Sequence, residues 1–273
     1  MKSRIITGII GSALLLVVLV MPPIALTIAM SAICAMAMYE LLVATHFSLH
    51  RSILMTSIAF SACTPFFSLF NSYLPAMITI FVYLLIMVCI QIFRHKSQRI
   101  EHTSFAFFMS LIFPIAFSCI SYLRAFSLRD GLFYVLIAII MPWMCDMGAY
   151  FIGTFFGRHK LCPTISPKKT IEGLIGGIII SVLSAVAAGL IFQYLFLKGT
   201  ATVMIWQLAL VAIFCAPLSV FGDLFASLIK RQCHVKDFGN IMPGHGGVMD
   251  RFDSLLLVVP FLYILVHYLP LVV

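Results

Sequence analysis

Apolar residues in this chain come in long unbroken runs, each ended by a charge, a proline or a glycine. The runs fall near 5–21, 24–44, 53–70, 74–93, 105–123, 132–155, 172–197, 204–224 and 254–272. About 20 mostly apolar residues suffice to cross a bilayer as a helix, so nine spans are predicted. Helix is the form open to them, because backbone groups in hydrocarbon must be satisfied within the segment and none of the runs alternates as a barrel strand would. The predicted fold class is all-α: a polytopic integral membrane protein with about nine transmembrane helices.

Composition agrees. Of 273 residues, 63% are hydrophobic and 10% charged, against roughly 25% charged in soluble domains. No room remains for a soluble catalytic domain. The start, Met1-Lys2-Ser3-Arg4 before an apolar run, reads as a retained first span, since no cleavage-site pattern of small residues follows. Eight scattered cysteines without a C-x-x-C pair give neither a disulfide framework nor a zinc site.

The net charge of +8 does not call for nucleic acid, because basic loops are expected from membrane topology. With nine spans and a cytoplasmic N-terminus, only Arg124, Arg129 and Lys198 of the 17 Lys and Arg fall on the far side, leaving fourteen on the cytoplasmic side. A wrong span count would scramble that asymmetry.

The two halves differ. Residues 1–130 hold almost no ionisable group within spans except Glu40 and read as a transmembrane scaffold. Residues 131–273 carry acids and glycines, with long cytoplasmic loops at 156–171 and 225–253; function is expected there. Carboxylates inside membranes are costly and mark functional sites. Asp146, Glu172, Asp223, Asp250 and Asp253 all fall at the predicted cytoplasmic ends of their helices, as a metal site or a cytoplasm-facing polar cavity requires. Acids resting in the headgroup region are the plainer alternative for any one of them.

Asp223, Ser227, Lys230 and Arg231 stand at i, i+4, i+7 and i+8, one face of a helix continued past the membrane. Asp146 and Tyr150 precede Gly153 and Gly157 at helical spacing, which fits close helix packing at least as well as ligand contact. Ser166-Pro167-Lys168-Lys169-Thr170 leads into a helix N-terminus, a place where anions bind, although positive-inside charge with a capping Thr also accounts for it. Lys236, Asp237 and the glycine-rich Pro243-Gly244-His245-Gly246-Gly247 precede Asp250-Arg251-Phe252-Asp253. Acids suited to a divalent cation, cations suited to oxyanions, and no Ser-His-Asp or Cys-His set point to phosphoryl or nucleotidyl transfer.

The ordered motif Ser227 to Lys230-Arg231, Lys236-Asp237, Pro243 to Gly247 and Asp250-Arg251-Phe252-Asp253 resembles that of the phosphatidate cytidylyltransferases, the CDP-diacylglycerol synthases. Asp146-x-Gly-Ala-Tyr150, Ser166-Pro-Lys-Lys-Thr170 with Glu172-Gly173, and Gly222-Asp223 are similar to other blocks of that family. The specific similarity spans about 143–255. The resemblance implies condensation of CTP with phosphatidic acid to CDP-diacylglycerol and pyrophosphate, with Mg²⁺ and a second metal ion left open. It implies Asp223 and Asp250 as metal ligands, with Lys230, Arg231, Asp253 and Asp146 as catalytic groups. Lys168, Lys169, Ser166, Ser227, Lys236, His245 and Arg251 are the expected substrate-binding residues. It further implies a homodimer in a bacterial inner membrane, with the site facing the cytoplasm. Two other readings stand beside it: a CTP-dependent kinase of a polyprenol-type lipid, and an ion-coupled transporter, whose broken helices also carry acids.

Overall fold

A computed structural model describes residues 11, 17–45, 50–70, 72–127, 129–241 and 246–273. Among these, seven helices are long and apolar enough to cross a membrane. They are α1 (Pro23–Ala44), α2 (Arg51–Cys63, running on as a 3-10 turn over Thr64–Leu69), α3 (Leu74–Phe93), α4 (Ile100–Phe126), α5 (Gly131–Phe156), α6 (Ile171–Phe192, continued by a π-turn over Gln193–Leu197) and α7 (Ile205–Gln232). Each covers one of the apolar runs.

The predicted count of nine is not reached among the described residues. Most of the first run, 5–21, lies outside them, with 17–20 described as helical. The last run forms a helix of only 14 residues, Leu255–Tyr268. At 1.5 Å per residue it rises about 21 Å, short of the roughly 30 Å hydrocarbon core. Its tail turns instead into a backbone pairing, Val203 with Val272, closed by Thr202 N–H to Val273 O at 2.7 Å.

The chain forms two compact units: residues 1–125 with 232–251, and 126–231 with 252–273. In the first, hydroxyls join apolar helices. Ser31 donates to Ala62 O at 2.7 Å, Thr64 to Pro114 O at 3.3 Å, and Ser57 pairs with the Tyr83 hydroxyl at 2.9 Å. Such bonds are worth about 0.6 to 2 kcal/mol each in a bilayer. α3 buries only Tyr83 and Met87, so most of its surface is left for lipid.

In the second unit, α5 and α6 lie close because glycines remove the side chains between them. A Cβ on Gly177 would stand 2.8 Å from the Cys145 carbonyl oxygen, and one on Gly148 would stand 2.7 Å from Ile180 Cβ. Small residues at such spacings let membrane helices approach closely. The 156–171 loop contains a hairpin, β1 (Lys160–Cys162) and β2 (Ser166–Thr170), paired antiparallel with Lys160 opposite Thr170. Thr170 then caps α6, its hydroxyl accepting from Gly173 N–H at 3.1 Å.

Candidate active site

Four elements of the second unit bring their polar ends together: the C-terminal parts of α5 and α7, the hairpin before α6, and the residues just before Leu255–Tyr268. In β2 Pro167 and Lys168 are exposed while Lys169 is half-buried, and the Lys169 Nζ meets Asp223 Oδ2 at 2.5 Å. The other Asp223 oxygen accepts from Ser227 one turn on, at 3.3 Å. α7 remains helical through Gln232, as the spacing of Asp223, Ser227, Lys230 and Arg231 predicted. Lys230 Nζ stands 3.8 Å from Asp253 Oδ2, and Arg231 Nε donates to Ile165 O at 3.2 Å in the hairpin turn.

Gly222 explains how Asp223 and Asp253 come to share a site. A Cβ there would lie 2.6 Å from the Asp253 carbonyl oxygen, so any other residue would separate α7 from the Asp253 backbone. Asp253 feels the Asp223 and Asp146 charges, and burial first, then Asp223, pushes its carboxyl well above the ordinary carboxylate range against the pull of Lys230. Ser254 supplies its N–H to Asp253 Oδ1 at 2.8 Å and its hydroxyl to Asp146. Three carboxylates against the two ammonium groups of Lys169 and Lys230 leave one negative charge when all are ionised. A half-buried cluster of that sign favours a further cation.

The hairpin is anchored by a residue with a different kind of partner. Glu172, in the first turn of α6, accepts from the backbone N–H of Arg158 at 3.1 Å and of His159 at 3.2 Å, and meets His159 Nδ1 at 2.6 Å. Gly153 and Gly157 pack against Thr170, whose hydroxyl would lie 2.8 Å from a Cβ on either. The packing reading of the α5 glycines therefore accounts for these two.

Other expected residues fall elsewhere. Asp250 belongs to the first unit, where its Oδ2 accepts from Phe238 N–H at 2.9 Å and Gly247 N–H at 3.1 Å. Lys236 and Arg251 are exposed members of that unit, Ser166 is half-buried in β2, and His245 lies outside the described residues. Sequence reasoning assigned no role to Glu40, which is buried at 3% exposure and accepts from Met249 N–H at 3.0 Å. Its signal was a lone carboxylate inside an apolar run.

Among the described residues no three His, Cys, Asp or Glu side chains form a ready metal cluster. The donors at hand are nonetheless carboxylate oxygens, the ligands that Mg²⁺ takes, and their charge is not fully matched by the two lysines.

The chain matches the Cytidylyltransferase family over residues 2–269. It is 32% identical over 277 residues to a phosphatidate cytidylyltransferase of Bacillus subtilis (strain 168), covering 97% of each chain. Over 155 residues, 56% of this chain and 57% of the relatives, it is 42% identical to the phosphatidate cytidylyltransferase of Staphylococcus haemolyticus (strain JCSC1435) and 43% identical to that of Staphylococcus epidermidis (strain ATCC 12228 / FDA PCI 1200). A match across nearly the whole length, on a bundle of apolar helices with acids and lysines gathered at one end of the second unit, makes this chain a member of the cytidylyltransferase family, a nucleotidyltransferase built into a membrane.

Proposed function

We propose that the protein condenses CTP with phosphatidate to give CDP-diacylglycerol and pyrophosphate at the cytoplasmic face of a bacterial inner membrane. The observation that carries this reading is the group Asp146, Asp223 and Asp253 with Lys169 and Lys230, set at one end of membrane helices. CTP cannot enter hydrocarbon, and the phosphate of phosphatidate lies at headgroup depth. A site at the helix ends serves both.

In the reaction a phosphatidate oxygen forms a bond to the α-phosphorus of CTP while the bond from that phosphorus to the bridging oxygen breaks and pyrophosphate leaves. A phosphate monoester is already ionised near neutrality, so no strong base is required. Catalysis then rests on positioning and on charge stabilisation. Lys169 and Lys230, with Arg231 and the exposed Lys168 beside them, supply donors to the triphosphate and the departing pyrophosphate. Asp223, with Asp146 and Asp253 around it, would hold Mg²⁺, which when bound neutralises phosphate charge. A ligand role for Asp250, substrate contacts by Ser166, Ser227, Lys236, His245 and Arg251, and a homodimer are part of the same proposal on the family resemblance.

The test supplies purified protein with phosphatidate, Mg²⁺ and CTP labelled at the α- or the γ-phosphate. Label from the α-phosphate in lipid, with γ-label released as pyrophosphate, is the expected result. γ-Label in lipid would make the protein a lipid kinase, and no transfer by a folded sample would return the transporter reading.

A further inference from the structure

A carboxylate inside an apolar helix is expensive unless something satisfies it, and Glu40 of α1 has found its partners in the motif segment of the same unit. Its Oε2 accepts from Met249 N–H at 3.0 Å, with the backbone amides of Val248 and Ile241 also facing it. Two glycines make room for it. A Cβ on Gly239 would stand 2.5 Å from Glu40 Cδ and 2.8 Å from its Cγ, and one on Gly247 would stand 2.5 Å from Oε2. Neither Gly239 nor Gly247 has a positive φ, so what they provide is space, and the space is filled by Glu40. At Gly247 the backbone thus comes close to the protein's own carboxylate. Asp250 grips the same region through Phe238 N–H and Gly247 N–H, so the two acids clasp the backbone on both sides, at 238–241 and at 247–249.

We infer that Glu40 is a positioning residue for nucleotidyl transfer: its carboxylate fixes the backbone at 239–241 and 247–249 and with it the orientation of Asp250. The inference rests on the proposed function in that it takes this segment to serve the reaction. Glu40 acts through hydrogen-bond acceptance and shape. Gln, which keeps an acceptor oxygen, should replace it far better than Ala, and Gly239→Ala, which adds a methyl group where the carboxylate sits, should mimic its loss.

The full-length protein in lipid nanodiscs tests this by two readouts, hydrogen exchange of the 238–250 amides and the kinetics of label transfer from CTP to phosphatidate. Glu40→Ala and Gly239→Ala are each expected to speed exchange in the segment and to lower kcat/KM about 100-fold. The double variant should be no worse than the poorer single one, since residues acting through one contact are not additive. Glu40→Gln should recover to within about tenfold of the parent, in keeping with the modest net worth of one hydrogen bond. Unchanged exchange, independent multiplication of the two losses, or a Glu40→Gln variant as inactive as Glu40→Ala would each overturn the inference, the last by showing that the charge matters. If the parent protein transfers no label, the functional reading fails, while the exchange data still decide whether Glu40 holds the segment.

Discussion

The acids of the two units differ in what they hold. In the second unit Asp223 and Asp253 face the ammonium groups of Lys169 and Lys230, partners at the ends of flexible stems. In the first unit Glu40 and Asp250 hold backbone N–H groups, which cannot leave without unfolding the segment that carries them. A carboxylate paired with lysine can exchange that partner for a cation while the lysine turns to a phosphate. One caged by amides is fixed, and it fixes the chain around it. On the proposed function, the lysine-paired acids serve chemistry alone, while the amide-held acids also serve architecture, and the partner decides which.

Neutralising one acid of each kind separates these roles most sharply. Asp223→Asn and Asp250→Asn are both expected to lower label transfer by at least about 10³-fold, roughly 4 kcal/mol of transition-state stabilisation, with the protein still inserted. Only Asp250→Asn should also lower the thermal midpoint, because two N–H donors share one carboxylate oxygen, Oδ2, and a neutral amide oxygen in its place weakens both bonds, by about 1 kcal/mol each. Equal midpoints for the two variants, by fluorescence-monitored melting in detergent, would erase the distinction. Full activity in either would remove that residue from the site.

A smaller effect probes the exchangeable pair from its other side. Lys169→Met should cost about 10- to 100-fold in kcat/KM, the range for losing one charged contact to the transferring phosphates. With Asp223 no longer neutralised, divalent cation binding to the nucleotide-free protein should tighten. Mn²⁺ titration followed by electron paramagnetic resonance reads the second quantity directly. Weaker binding would mean that Lys169 supports the cation site and does not compete for it.

Much of this was legible in the sequence. Seven apolar runs became helices, most with ends within a few residues of the predicted ones and α7 continuing past its run to Gln232, because in hydrocarbon the backbone has one local solution and hydropathy reports it. The face from Asp223 to Arg231 was legible for the same reason: helical periodicity is local. The last run forms a shorter helix than its apolar length suggests, because composition does not reveal where a helix stops. Tyr268 ends it, and the residues beyond pair with Val203. The hairpin at 160–170 was hidden by its shortness. Glu40 was visible as an anomaly but not as a clasp, since its partners lie about 200 residues away in sequence and no periodicity links them.

Glu172 asks whether the rule follows the partner or the region. It belongs to the second unit, yet it is bound as the acids of the first unit are, by the backbone N–H groups of Arg158 and His159. Its contact with the His159 ring is largely open to solvent, with side-chain exposures of 76% for the histidine and 26% for the glutamate, and exposed pairs of this kind contribute little. If the partner decides the role, Glu172→Gln is an architectural change: it loosens the hairpin that carries Lys168 and Lys169, raises KM for CTP about two- to fivefold, and leaves kcat nearly as it was. His159→Ala should do less still, since it leaves both backbone donors in place. A fall in kcat matching that of the Lys169 variant would instead put Glu172 among the groups that meet the transition state, and the region, not the partner, would then govern what an acid does here.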